Sequence, residues 1–582
     1  MREQARTDLK GPVMTRLCLI LLLAAATVSQ LAFAAPQDGL SGPGEPFDLQ
    51  GFVDAALARG SKTITVPPGR YRVTPRNQEC LGLRNLQDVT IICDGVEMIC
   101  TETTRALTIG NCVNVTVRGL GIDYDPLPFT QGRIVALSAD KSVQDIELTD
   151  GYPTSDTATT FKYEIFRPDT RTYRAGEYAL SKLEKLDLRH LRVTRSASKA
   201  EDPEQVGDII AIGSEHAPGG SIPHTVYVAG SKGVRLEDVS VYASNCFAFL
   251  EDNCDGTTYT RCVVDRRPLA TDPRPRAEAR IRSLNADAFH SISAVRGPAY
   301  IECAARFMGD DCINICGDYH LITASVGRVL RVLSKQRNGI NVAVGDTVEL
   351  LSYSGLRLPD AKVVSLEPDA EVTAAEQQFL AKQGLDASLK EYLTHARTFR
   401  VTLDREVELP MGSALCSTAR TGNGFVVRGC NFGFNRSRGI LVKGSDGLIE
   451  GNTLVGNVMA AIMVAPEWWW LESGSSNNVK ILNNTIRDCG AVAIAVYAFG
   501  GAPGVAPAGA HNYITISGNT ITGCPLPNIL VTSTRCLDLG RNVSEGYEGR
   551  TTSEWTRWRF GLMDKKLEPV MTINCEEVRR RQ

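Results

Sequence analysis

Three carboxylates in the stretch NADAFHSISAVRGPAYIECAARFMGDDCINICG, from Asn285 to Gly317, have the types and spacing for acid–base chemistry. Asp310 and Asp311 are adjacent, and Asp287 precedes Asp310 by 23 residues. Carboxyls crowded together split in proton affinity, so one stays protonated near neutral pH while its neighbours stay charged. Cleaving a glycosidic bond needs that division: a proton donor on the leaving oxygen and a carboxylate that activates water, about 6.5–9.5 Å apart when the anomeric centre inverts. The alternative is structural, with Asp310 and Asp311 capping a turn after Gly309 and Asp287 forming a bend with Asn285. What decides is whether the chain brings Asp287 beside the pair.

An eight-residue pattern supplies the means. Apolar residues at its first, third and eighth positions and a small or amide residue at its sixth recur as Val89-Ile91-Asp94-Val96, Val115-Val117-Leu120-Ile122, Val234-Leu236-Val239-Val241 and Thr257-Tyr259-Cys262-Val264. The series continues with Pro298-Tyr300-Cys303-Ala305, Phe425-Val427-Cys430-Phe432, Gly447-Ile449-Asn452-Leu454, Val479-Ile481-Asn484-Ile486 and Ile514-Ile516-Asn519-Ile521. Positions one and three share a strand face, two residues turn the chain, and the sixth faces inward at the bend. Asn there can bond its counterpart in the next coil, and Cys can stack as a small apolar group. Starts 22 or 23 residues apart mark one coil of a solenoid. Coils lie about 4.8 Å apart, so Asp287 falls one coil from Asp310 on a face open to an extended sugar chain.

Two gaps in the repeat hold alternating segments of another kind. In the first, GRIVALSADKSVQDIELTD and KYEIFRPDTRTYR read as antiparallel strands. In the second, GRVLRVLSKQRNGINVAVGDTVELLSYSGL reads as hairpins with a turn at Asn338-Gly339, and AAEQQFLAKQGLDASLKEYL from Ala374 as helix. The expected fold is all-β: a right-handed parallel β-helix with two inserted, mostly β modules. Residues 1–34 are an export signal, 35–123 an N-terminal cap and first coils, and 124–222 the first insertion. Residues 223–317 form the central coils with the three aspartates, 318–420 the second insertion, 421–545 the C-terminal coils and 546–582 a tail. An amphipathic helix over Asp54–Ala58 closes the end of the solenoid.

Composition narrows the function. Hydrophobic content of 43% and charged content of 22% mark a globular chain of 582 residues. Arg2, Arg6, Lys10 and Arg16 precede the apolar LCLILLLAAATV, and Ala32-Phe33-Ala34 offers a cleavage site. The expected localisation is therefore secreted or periplasmic, with no membrane span after cleavage. Losing those four cations with Glu3 and Asp8 takes the net charge from −3 to −5. That excludes electrostatic nucleic-acid binding. Neither the seventeen cysteines nor the seven histidines make a zinc pattern, and no metal or cofactor is expected.

NADAFHS followed one coil later by GDDCINI resembles glycoside hydrolase family 110, the blood-group-B-type α-1,3-galactosidases, and more distantly the polygalacturonases of glycoside hydrolase family 28. GIDYDPLPFTQGRIVAL, SRGILVKGSDGLIEGN and WWWLESGSSNNVKILNNTI support the first family. The resemblance implies an exo-acting, inverting hydrolase that removes terminal α-linked galactose from a glycan. Asp287, Asp310 and Asp311 are its catalytic candidates. The polygalacturonase pattern implies Asp310 as acid, with Asp287 and Asp311 activating water; the residues alone leave their order open. Cys316 stands where the resemblance implies a His. His290, Asn314, Arg438, Lys443, Trp469 and Glu472 are candidate substrate-binding residues, with Trp468 to Trp470 a possible stacking wall for the apolar face of galactose. Asp123 and Asp125 either reach the groove or cap the turn at Pro126. A polygalacturonase-like hydrolase of acidic polysaccharide is the alternative enzyme. It wants free cations beside the trio, where the nearest in sequence are Arg296 and Arg306. A non-catalytic glycan-binding β-helix is the alternative outside catalysis. Oligomeric state and disulfide pairing are not legible.

Overall fold

A computed structural model describes residues 42–160, 162–174, 179–214 and 223–581; the export signal expected at 1–34 lies outside them. The repeat is a right-handed parallel β-helix. The first two octads lie in single strands, Thr90–Cys100 and Thr116–Tyr124, and each later octad contributes two short strands to the same long sheet, as with Arg235–Glu237 and Ser240–Val241. Leu236 lies in register between Val117 and Tyr259 of the flanking coils. The bend between the two strands has a backbone cause. Position five of eight octads (Gly119, Asp238, Arg261, Glu302, Gly429, Gly451, Asn483 and Gly518) is left-handed, with φ between 52° and 79°. That reversal turns the sixth residue inward.

The sixth residues then bond from coil to coil. The Cys430 N–H donates to Asn452 Oδ1 (2.9 Å), and the amides of Asn452, Asn484 and Asn519 each donate to the next Asn, ending at Asn542 (2.9, 2.9 and 2.8 Å). The thiols of Cys262, Cys303 and Cys430 point to carbonyls of the preceding coil at 3.3–3.5 Å. Asp94 breaks the pattern. A register irregularity between Ile92 and Val96 leaves it exposed, paired with Arg118 at 2.5 Å. The capping helix is Leu49–Ala58, started by Asp48, whose carboxylate accepts the Gly51 N–H; the expected Asp54–Ala58 is only its second half.

The first insertion is a six-stranded antiparallel sheet running from Phe129–Leu137 to Ile209–Gly213, with its own core around Ile134, Tyr163 and Val193. The second is a closed six-stranded barrel from His320–Val326 to Ser413–Ser417. The hairpin expected at Asn338-Gly339 is absent from it. Val329–Leu333 pairs with His320–Val326 and Thr398–Leu403, while Thr347–Leu351 pairs with Arg357–Pro368 and Ser413–Ser417. The chain does turn at Arg337-Asn338, but both edges of each strand are taken, so barrel closure leaves no hairpin across the turn. The helix expected from Ala374 is two, Ala374–Ala381 and Ala387–Leu393, the second started by the Asp386 carboxylate. Asp123 and Asp125 are buried away from the groove. Asp123 is held by Arg280 (2.8 Å) and Arg267 (3.4 Å), and Asp125 by Arg72 (2.7 Å) and Arg274. They anchor the arginine-rich loop that leads into the aspartate motif.

The amide ladder gives a first test. Replacing Asn484 by Ala leaves the Asn452 N–H and amide and the Ile449 carbonyl without their partner in the interior. Asn484→Ala should lower stability by on the order of 3 kcal/mol, read as a fall in the urea midpoint; an unchanged midpoint refutes the ladder's role.

Candidate active site

The second long sheet positions the candidates. Its central strands are β1 (Phe249–Asp252), β2 (Phe289–Ile292), β3 (Ile313–Asp318), β4 (Ile440–Val442) and β5 (Ile462–Val464). Phe289 is in register with Ile313, and Ile313 with Ile440. Two residues before each of these stand Asp287, Asp311 and Arg438, so the coil-to-coil partner of Asp287 is Asp311, not Asp310. Backbone hydrogen bonds fix the stack. Asp287 Oδ1 accepts the Asp311 N–H (3.0 Å), and Asp311 Oδ1 accepts the Arg438 N–H (2.7 Å). The other oxygens are also engaged: Asp287 Oδ2 with His290 Nδ1 (2.8 Å) and Asp311 Oδ2 with the Arg438 guanidinium (3.2 Å).

Asp310 precedes the stacked position and lies outside strand parity, since β3 starts only at Ile313. Gly309 matters through close approach: a Cβ there would meet the Asn285 carbonyl oxygen at 2.6 Å. The Gly309 carbonyl accepts from Arg436 Nε (2.6 Å) and Lys162 Nζ (3.3 Å), and the same two cations hold Asp310 Oδ2 at 2.7 and 3.1 Å. One oxygen from each of the three aspartates lies within 4.8 Å of the others. The trio is tighter than the separation expected for a separate acid and base. Its side chains are open to different degrees, with Asp310 25% exposed and Asp311 3%.

Beside the trio, Lys443 is wholly buried, with Nζ on Glu472 (2.8 Å), Asn314 Oδ1 (2.9 Å) and Glu467 (3.3 Å). Asn314 in turn donates to Glu472 at 3.1 Å. Glu467 also takes the Arg438 guanidinium at 2.7 Å. Glu467 and Glu472 exchange backbone hydrogen bonds at 3.0 Å, closing the turn formed by Trp468–Trp470. His290 stacks on Phe247 (4.4 Å) and faces the Cys316 thiol through Nε2 at 3.8 Å. The expected tryptophan wall divides: Trp468 packs with Tyr319 and Tyr353 in the apolar layer between the barrel strands and the two helices, Trp469 is half-buried and Trp470 is exposed. Thus His290, Asn314, Arg438, Lys443 and Glu472 gather beside the trio. Sequence reasoning missed Lys162, Arg436 and Glu467, which carry no motif of their own.

Burial and pairing set the charges. Burial pushes Asp311 up to about 8; Arg438 opposes the rise, and Asp287 and Asp310 add to it. Burial also raises Asp287, against the His290 hydrogen bond. For Asp310, burial is outweighed by Lys162, Arg436 and Arg438, which hold it well below the usual carboxylate range. Lys443 and Lys335 do the same for Glu472. In the free protein the proton sits on Asp311, while Asp310, the more reachable carboxyl, is charged. The trio's oxygens are close enough to share a cation, but Lys162, Arg436 and Arg438 already serve as counter-ions.

Known proteins resemble this chain over most of its length. The family model for a right handed beta helix region matches residues 411–543. An alpha-1,3-galactosidase A of Bacteroides thetaiotaomicron is 25% identical over 438 residues, covering 72% of this chain and 70% of the relative. Alpha-1,3-galactosidase B of the same organism is 22% identical over 484 residues, covering 76% and 72%. A solved family 28 exopolygalacturonase of Yersinia enterocolitica aligns over 89% of this chain and 72% of its own, at 10% identity and a TM-score of 0.38. The likeness to α-1,3-galactosidases drawn from the motifs therefore extends well beyond them.

The Asp311 proton has a thermodynamic signature. Its folded-state value lies above the unfolded value of about 3.9, so the folded chain binds more protons between the two. Stability from this residue is complete below about pH 4 and declines as pH rises towards 8. Asp311→Asn lacks that decline. Its stability relative to the parent should rise by about 1 kcal/mol or more from pH 5 to pH 9, measured by denaturation at each pH; a constant difference excludes the shift.

Proposed function

We propose that this protein is an exported glycoside hydrolase that removes terminal α-linked galactose from glycans, with the aspartate trio as acid and base. The carrying observation is the stack of Asp287 and Asp311 on consecutive coils with Asp310 beside them, one oxygen of each within 4.8 Å of the others.

The trio titrates as a coupled set. Moving the proton from Asp311 to Asp310 creates the acid and the base together. Asp310 then protonates the leaving oxygen, and Asp311 with Asp287 takes a proton from the attacking water. Galactose and the shortened glycan leave, and the proton taken from water restores Asp311. This keeps Asp310 as the group that meets the leaving oxygen and makes Asp311 the proton's resting place. Inversion is favoured because both oxygens of Asp287 and of Asp311 are already engaged, which suits holding a water better than attacking carbon. The close spacing of the trio does not itself argue for inversion.

A neutral sugar fits better than a uronate. Lys162 and Arg436 are paired with Asp310, Arg438 with Asp311 and Glu467, Lys443 with Glu467 and Glu472, and Lys335 with Asp318 (3.0 Å). Arg296 and Arg306, the nearest in sequence, pair with Asp255 and Asp265. Asn314 and Glu472 are the groups offered to sugar hydroxyls, held in place by Lys443 behind them. Cys316, opposite His290, is a place where linkage preference can depart from that of the relatives.

Incubation with a panel of α-galactosides and pectic oligomers should release galactose and no uronate, and proton NMR should show the inverted anomer first. Asp310→Asn should keep its fold and lose at least a thousandfold in kcat, a size in keeping with general acid–base catalysis of about 10²–10⁴. The rate should fall as pH rises through about 8, where Asp311 gives up its proton. Saturable sugar binding with no released monosaccharide would instead identify a glycan-binding protein.

A further inference from the structure

Arg438 is shared unequally between two acids. Its guanidinium lies 2.7 Å from Glu467 Oε1 and 3.2 Å from Asp311 Oδ2, both through Nη2, and Nη1 donates to Ser437 Oγ (3.1 Å). Its Nε is buried without a partner. The shorter contact is the one to Glu467, which no motif marks and the hydrolysis above does not use. Glu467 is itself fixed, by Lys443 on its other oxygen at 3.3 Å and by its paired backbone contacts with Glu472 at 3.0 Å. Both glutamates are buried, so their charges are poorly screened.

We propose that Glu467 is a positioning residue for the reaction: by holding the Arg438 guanidinium, it withholds positive charge from Asp311 and so keeps a proton available to the trio. The proposal rests on the trio being the acid–base centre. The geometry forms a loop. Asp311 meets Arg438, Arg438 meets Glu467, Glu467 meets Lys443, and Lys443 meets Glu472. Glu472 lies within 4.8 Å of His290, and His290 holds Asp287, which accepts the Asp311 N–H. The charged groups facing Asp311 are therefore Asp287 from its own sheet, Asp310 from its own loop, Arg438 from the next coil and Glu467 behind Arg438. Lys162 and Arg436 act on it through Asp310, and Tyr497 lies close to Arg438 on the far side. Of these, Glu467 alone touches the cation that also touches Asp311, and its charge opposes ionisation of Asp311 directly as well. A bidentate arginine–carboxylate pair is strong. Freed from Glu467, Arg438 can make one with Asp311 and strip its proton at lower pH.

The test is the pH profile of Glu467→Gln, which keeps an oxygen for Arg438 and removes the charge. The descending limb of kcat should move to lower pH by at least one unit, a tenfold change in proton affinity. Glu467→Asp keeps the charge at shorter reach and should hold the limb nearer its parental position. If Glu467 only shapes the loop, the isosteric Gln should be the milder change, both variants should lose activity evenly at all pH values, and the limb should stay put. Aspartate ¹³C carboxyl NMR of the full chain, with the Asp311 resonance assigned through Asp311→Asn, reads the same shift without turnover. A protein that hydrolyses none of the panel yet shows the Asp311 shift in Glu467→Gln loses the substrate reading and keeps the coupling. An unmoved Asp311 titration ends the coupling whatever the activity.

Discussion

The site depends on one contact made twice: the carboxylate of one coil accepting the backbone N–H of the next. Asp287 does this for Asp311, and Asp311 for Arg438. A buried carboxylate needs hydrogen bonds or a counter-charge. Here the scaffold supplies the bond, so coil spacing sets the orientation of each acid and no loop need be ordered to hold it. The arrangement also separates two requirements. Backbone contacts fix where the carboxyls stand, while burial and neighbouring charges fix which of them is protonated.

The solenoid alone does not balance those charges. Lys162 reaches Asp310 from the first insertion, and Lys335 reaches Asp318 from the barrel. Arg436, Arg438 and Lys443 arrive when the chain returns to the solenoid after the second insertion. The two modules are therefore part of the electrostatics of the centre, although their cores are separate from that of the β-helix. Buried ion pairs of this kind add little net stability, because desolvation offsets most of their attraction. Their evident effect here is on proton affinity: Asp310 is held low and Asp311 high within the same few ångströms.

Much of this was legible in the sequence, and the missing parts have physical reasons. The octads announce themselves because strand parity and an inward sixth residue restrict side-chain type at every coil; Asn452, Asn484 and Asn519 are where that pattern required them. The left-handed fifth residue left a partial signal: Gly119, Gly429, Gly451 and Gly518 mark it, while Asp238, Arg261 and Glu302 adopt it without glycine. At those three positions stacking against neighbouring coils overrides the usual preference for glycine. At Asn338-Gly339 the chain turns as its residues indicate, but barrel pairing gave the flanking strands other partners. The one-coil relation of the aspartates was readable to within a residue. The register to Asp311 rather than Asp310 was not, since loop residues before a strand escape the octad count. Lys162, Arg436 and Glu467 are isolated charged residues, and only tertiary folding brings them to the trio.

Counting cations near the centre would mark it as an anion site, and pairing reverses that conclusion. A uronate carboxylate entering here must take Arg438, Lys443 or Lys162 from a protein carboxylate that is itself mostly buried. The displaced acid would be left uncompensated, a change that costs about 3–5 kcal/mol when one partner of a buried pair is lost. A neutral hexose asks for no such exchange, since its hydroxyls can accept from the Asn314 amide and donate to Glu472 while each ion pair stays intact. On the proposed function, selection against charge in this site follows from cations already committed to partners.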